Sequence, residues 1–380
     1  MRVKSRLVDV LGLFLKIGTI SFGGPAAHIA LMEQEVVQKR QWLTREHFLD
    51  LLAATNLVPG PNAVEMAGHI GFVHAGWPGL FAGAGGFLLP AVLISLGLAW
   101  GYERMGVLPQ TAALFYGINP IVLAIILAAT YRLGRAALKD KTAVVLAVAC
   151  LGAALLGLDE VWVLLAGGVV SVLLVAPWRA LPVGGLLPIG LTPFKLLTSA
   201  APLAERVLQL WLFFLKVGAL LFGSGMVLFV FIQRAVVERY GWLTQQQLVD
   251  AIAVGQMTPG PVTSSVTFIG YLVAGWPGAL AATLGIFMPS FLIVALLGPW
   301  IPRLRHSKMA QTFLRGVNAA AVALILAVAL KLCPLVLVDG WAVALSGLGL
   351  FVLLRYRVDT LWLVLGGATV SLVRAYLSGG

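Results

Sequence analysis

Between Asp250 and Arg303 the chain carries no Asp, Glu, Lys or Arg. A helix needs about 20 apolar residues to cross the hydrocarbon core of a bilayer, so this stretch alone has room for two crossings. The pattern is not confined to that stretch. Hydrophobic residues make up 60 % of the 380 residues and charged residues only 11 %, whereas a soluble domain has about 25 % charged residues. The apolar runs do not alternate polar with apolar positions, which excludes a β-barrel pattern and leaves helices. The sequence predicts an all-α, polytopic, multi-pass integral membrane protein.

The formal net charge is +11, but the basic residues fall in short loops between apolar runs, without a basic stripe of interleaved aromatics. That is the positive-inside distribution rather than a nucleic-acid surface. Cys150 and Cys333 both lie in apolar segments and read as small buried hydrophobes, so neither a disulfide nor a metal site is expected. Met1 to Arg6 is basic and runs straight into apolar sequence with no small-residue cleavage site, which predicts a retained helix rather than a signal peptide.

The chain is one unit written twice. Lys16-x-Gly18 returns as Lys216-x-Gly218, Phe22-Gly23 as Phe222-Gly223, Trp42-Leu43-Thr44 as Trp242-Leu243-Thr244, Asp50 as Asp250 and Pro59-Gly60-Pro61 as Pro259-Gly260-Pro261. After one deletion Ala75-Gly76-Trp77-Pro78-Gly79 pairs with Ala274-Gly275-Trp276-Pro277-Gly278, Pro90 with Pro289, and Gly117-x-Asn119 with Gly316-x-Asn318. The expected organisation is a first repeat over 1–177, a proline- and glycine-rich linker over 178–204 and a second repeat over 205–380. Matched loops carry opposite charge bias. Arg303, Arg305, His306 and Lys308 answer only Glu103 and Arg104, while Arg132, Arg135, Lys139 and Lys141 face only Lys331. If basic loops share one membrane face, the repeats are inverted. Six crossing segments per copy would instead make them parallel, unless the linker also crosses.

In both copies a proline-glycine break interrupts an apolar segment. Such a break frees backbone carbonyls and N–H groups that must line protein or a wet cavity. The outgoing half-helix turns the positive end of its dipole to the same place, which suits an anion. The candidate substrate-binding set is Gly23, Gly24, Pro25 and His28; Asn56, Pro59, Gly60, Pro61 and Asn62; and, in the second copy, Gly223, Ser224, Gly225, Gln256, Pro259, Gly260, Pro261 and Ser264. Lys16 and Lys216 join it, because each lies about 14 Å into its helix at 1.5 Å per residue, near the expected midplane. The competing readings are packing kinks, capping side chains and lysines that snorkel to the interface. Glu65 has no acidic counterpart in the second copy, and His69 lies one turn along the same face. The pair suits a proton carrier and suits a structural ion pair equally. No Walker loop, His-Glu-x-x-His or Cys-x-x-Cys is present, so a carrier is expected rather than an enzyme.

Taken in order, Phe22-Gly23-Gly24-Pro25-x-x-His28-Ile29, Trp42-Leu43, Pro59-Gly60-Pro61 and Gly76-Trp77-Pro78-Gly79 with Pro90 resemble the chromate ion transporter family in its long, two-copy form. The resemblance covers nearly the whole chain. It implies a plasma-membrane carrier that exports chromate, driven by the proton motive force or by anion exchange, with no cofactor. The second copy departs from the pattern, with Ser224-Gly225 in place of Gly24-Pro25. Chromate and sulfate are both tetrahedral dianions, so sulfate is an expected second substrate. The other expected partners are the lipid bilayer and a second copy of the chain as a homodimer, with no nucleic acid. A carrier of sulfate or another small anion and a non-transporting membrane scaffold are the alternatives, separated by competition and by substrate-dependent flux.

Overall fold

The computed structural model describes residues 3–55, 58–105, 109–175, 202–222, 225–297, 307–356 and 358–377. The expected linker over 178–204 falls almost entirely outside the described residues. In the first copy the helices are α1 (Val3–Ile20), α2 (Pro25–Glu33), α3 (Arg45–Thr55), α4 (Asn62–Met105), α5 (Pro109–Ala137), α6 (Lys141–Leu155) and α7 (Glu160–Val175). Their counterparts in the second are α8 (Leu203–Leu220), α9 (Val227–Ile232), α10 (Gln245–Met257), α11 (Ser265–Leu297), α12 (Lys308–Val336), α13 (Gly340–Arg355) and α14 (Thr360–Leu377). Short π-helical turns, Gln34–Lys39 and Gln233–Arg239, extend α2 and α9. Among the described residues there is no strand, and five helices are long and apolar enough to cross a membrane.

Two of those five are folded back on themselves. Ala75 and Gly76 leave the helical region, with Gly76 at φ 68°, and Ala274 and Gly275 do the same, with Gly275 at φ 62°. A left-handed residue reverses the chain at little cost only when it is glycine. A Cβ on Gly79 would strike the Gly71 carbonyl, and one on Gly83 would strike the Ala67 carbonyl. These contacts pair residues symmetrically about the turn, so 62–74 and 77–105 are the antiparallel arms of a helical hairpin. Gly270 against Gly278, and Thr267 bonded to Thr283 at 2.7 Å, repeat the arrangement in α11. The Ala-Gly-Trp-Pro-Gly motif is therefore a hairpin turn. Its glycines allow backbone contact between the arms, and its proline occupies the first turn of the outgoing helix.

The first two segments of each copy also turn back. Val10 of α1 lies against Gly71 near the hairpin turn, and Gly18 lies against the Phe87 backbone halfway up the outgoing arm. Helix α1 thus runs alongside that arm and stops at its middle. The chain then returns: Lys16 bonds Glu35 at 3.1 Å, and Trp42 stacks on His74 at 3.9 Å, beside the turn at Gly76. From there α3 climbs again to Pro59-Gly60-Pro61, and the incoming arm of α4 descends. The expected six crossings per copy are corrected. Two of those apolar segments are instead parts of hairpins, α1 with α2 and α3 with the incoming arm of α4, that enter from one face and turn inside the bundle, because glycine and proline end each limb partway. The outgoing arm of α4 rises about 40 Å at 1.5 Å per residue and is the first full crossing.

The remaining helices pack across copies. Gly117 of α5 meets Gly367 and Ser371 of α14, and Ile121 meets Gly367, so those helices are antiparallel. Gly316 of α12 meets Gly167 and Ser171 of α7, and Gly167 meets Ala320, again antiparallel. Helices α5 and α7 run the same way, as do α12 and α14. It follows that α5 and its counterpart α12 run in opposite directions. The two copies are inverted, as the loop charges predicted, and the end of α7 and the start of α8 lie at opposite ends of the bundle.

Candidate anion site at the junction of the two copies

The breaks do not merely kink helices; each docks on the other copy. The Gly60 N–H donates to the Leu221 carbonyl at 2.8 Å, and the Gly260 N–H donates to the Ser21 carbonyl at 2.8 Å. Ser21 and Leu221 are repeat equivalents at the ends of α1 and α8, so the two bonds are one contact written twice. Gly60 takes φ 145° and Gly260 φ 87°. A Cβ on Gly60 would strike Ser290 and Glu65, while one on Gly260 would come within 3.3 Å of Ala91, the residue equivalent to Ser290. Only glycine permits both the backbone conformation and the approach.

Around these junctions polar side chains are buried without partners. Among the described residues the unsatisfied atoms include Ser21 Oγ, both nitrogens of His28, both carboxylate oxygens of Glu65, and the hydroxyls of Thr263, Ser264 and Ser265. Buried polar groups are ordinarily hydrogen-bonded, and each left bare costs about 1–3 kcal/mol. A cluster of them at converging helix starts is what a polar ligand would satisfy. His28 lies beside the Ser21 backbone and edge-on to Phe87 at 5.5 Å. Gly24 is the N-cap of α2 without a side-chain cap, Pro25 opens that helix, and Gly23 turns the chain at φ 102°. His69 is buried on the same arm as Glu65 with its Nε2 unpartnered.

The other expected residues are distributed as follows. Pro59, Pro61, Pro259 and Pro261 are buried at the junctions, and Asn62 opens α4. Gln256 is buried with its amide 3.9 Å from Met226 Sδ, and Gly225 lies against Thr263. Asn56, Gly223 and Ser224 lie outside the described residues. Lys16 is not at a junction. Its side chain is 53 % exposed and pairs with Glu35, which Lys39 at 2.9 Å and Arg40 at 3.7 Å also approach. The Lys39 bond, then Lys16, holds the Glu35 carboxyl below the ordinary carboxylate range. Lys216 is exposed; Ala235 stands where Glu35 does, and the carboxylate that Lys216 faces is instead Glu160 of α7, which Arg234 approaches at 3.4 Å.

Sequence reasoning passed over several groups. Ser290 follows Pro289 just as Ala91 follows Pro90, and its polar side chain at a repeat position was the available signal. Asp250, buried in α10, accepts from Tyr102 and from Gln246, each at 2.8 Å, and bonds Asn119. Its repeat partner Asp50 is exposed on α3. Helix α10 is buried from Leu248 to Gln256, whereas Leu49 on α3 is 48 % exposed. The two copies share a fold and differ in how tightly the equivalent limb is packed.

The family model described as chromate transporter matches residues 8–172 and again 208–372. The chain belongs to the chromate transporter family. A chromate transport protein of Cupriavidus metallidurans is 34 % identical over 365 residues, 95 % of this chain and 91 % of that protein. A probable chromate transport protein of Synechococcus elongatus is 34 % identical over 81 % of this chain and 80 % of its own length. A chromate transport protein of Pseudomonas aeruginosa is 34 % identical over 82 % and 77 %. No solved structure matches. Both stretches matched by the chromate transporter family model contain a tip-forming break, so the junction is built from the parts of the chain the family shares.

Proposed function

We propose that this chromate transporter family member is a secondary active carrier that exports chromate across the plasma membrane. Its driving force is the proton motive force or anion exchange, and its oxyanion site is where the hairpin tips of the two copies dock. The observation that carries the reading is the reciprocal pair of bonds, Gly60 to Leu221 and Gly260 to Ser21, set among unpartnered buried hydroxyls and His28. The two bonds hold the tips together, and the unpartnered hydroxyls with the helix starts beside them suit a tetrahedral oxyanion. Lys16, Lys39 and Arg40 gather positive charge at the mouth of the first hairpin, where it raises the local concentration of anions. An inverted pair of copies around a central site is the architecture of alternating access. The packed α10 limb and the exposed α3 limb fit one of its two states.

The test is flux of labelled chromate into sealed vesicles carrying the purified protein. Saturable uptake is expected, with sulfate competing if charge and shape alone set selection. His28→Ala and Ser264→Ala should each raise the half-saturating concentration about tenfold, the weight of one lost hydrogen bond to a charged group. Lys16→Ala should slow uptake most at low salt. Folded protein without saturable chromate flux would overturn the reading.

A further inference from the structure

Glu65 stands where the anion is expected. It lies in the first turn of α4, and its Oε1 lies so close to Gly60 that a Cβ there would strike it. The residue is 1 % exposed, and among the described residues neither carboxylate oxygen has a partner. Titratable groups on the elements packed around this arm are Lys4, Arg6, Asp9 and Lys16 on α1, His28 and Glu33 on α2, Arg45, Glu46, His47 and Asp50 on α3 and Asp250 on α10, with His69, His74, Glu103 and Arg104 on its own helix; among the described residues none of them bonds the Glu65 carboxylate. Helix α11, which supplies Ser290 to the same junction, carries no Asp, Glu, Lys, Arg or His. An ionised carboxylate and a dianion would therefore share one pocket with no cation between them.

Resting on the oxyanion site proposed above, we propose that Glu65 makes the protein a co-transporter, in which one proton travels on Glu65 in the same direction as the anion. Like charges a few ångströms apart disfavour each other's presence. Protonation of Glu65 removes that repulsion, so proton and anion each strengthen the binding of the other. A carrier that crosses either fully loaded or empty then moves both together. Exchange of a proton for the anion would need the two to compete, and opposite charges at one site do not compete. The proton enters Glu65 from the face where the anion binds and leaves at the other face with it. A dianion and one proton carry a net single negative charge, so an inside-negative potential drives export while an alkaline interior opposes it.

The experiment uses the full chain in sealed vesicles, with chromate on both sides at pH values above neutrality, where the dianion dominates. The potential is clamped at zero with potassium and valinomycin. A tenfold proton gradient is expected to poise about tenfold more chromate on the proton-poor side. Glu65→Gln should equalise the two sides while still allowing exchange of label. Accumulation on the proton-rich side, or no accumulation in the wild type, would overturn co-transport and leave the carrier intact. A Glu65→Gln protein that still accumulates chromate would show that the proton rides elsewhere. Absence of any wild-type flux would instead sink the transport reading itself. The wild-type sign decides the matter even if the variant fails to fold.

Discussion

Lys16 and Glu35 show how one residue's neighbours set what it can do. Glu35 is depressed by the Lys39 bond first and by Lys16 second. A carboxylate whose folded pKa is depressed adds stability that is present above its unfolded pKa and lost as pH falls through the folded value. Acidification should therefore cost the wild type a component of thermal stability that Glu35→Gln lacks. Melting curves of the two in detergent across the acid range check this. The component should stay within about 1 kcal/mol, because both lysines are half exposed and screened. At the same scale, the sequence showed that Lys16 recurs as Lys216 and lies deep along its helix. It could not show that Glu35 pairs with only one of them, since that depends on a hairpin folding 19 positions back on itself.

At the scale of elements, the turn at Gly76 separates two kinds of glycine requirement. A Cβ on Gly76 meets nothing within 4 Å, so its replacement costs only the left-handed backbone. On Gly79 the Cβ would enter the Gly71 carbonyl, and the two arms would have to separate along their length. Gly76→Ala should thus destabilise by about 1–3 kcal/mol, since φ 68° with ψ −155° is a conformation essentially reserved for glycine, whereas Gly79→Val should cost about 3 kcal/mol or more through overpacking of a helix crossing. Thermal melts and yield of folded protein distinguish the two. Proline and glycine positions made the breaks legible from sequence. Whether a broken apolar run continues or doubles back was not legible, because Phe48–Phe72 is long enough for either. Stacking of Trp42 on His74 resolves it, and that contact joins residues with no shared periodicity.

For the whole molecule the inverted arrangement makes a topological claim. Lys139, beyond α5, and Val338, beyond α12, are repeat equivalents that the inversion places at opposite ends of the bundle. In sealed vesicles of one orientation, an impermeant thiol reagent added outside should label only one of Lys139→Cys and Val338→Cys. Permeabilisation should be required for the other, and equal labelling of both from one side would refute the inversion. Loop charges had pointed the same way, because basic residues are held on one face whatever the helices do between. The crossing number went wrong because the bundle contains limbs that enter and leave by the same face, which hydropathy alone scores as spans.

The exchange of terminal hairpins has a consequence for how the molecule is made. The face of α5 that carries Gly117 is covered by Gly367 and Ser371, near the end of the chain. While the ribosome is still translating the second copy, the first cannot complete its own packing, and its small-residue groove waits in the bilayer for α14. Packing of both copies is therefore completed only once α14 is inserted, and losing α14 would leave the first copy unfinished as well as the second.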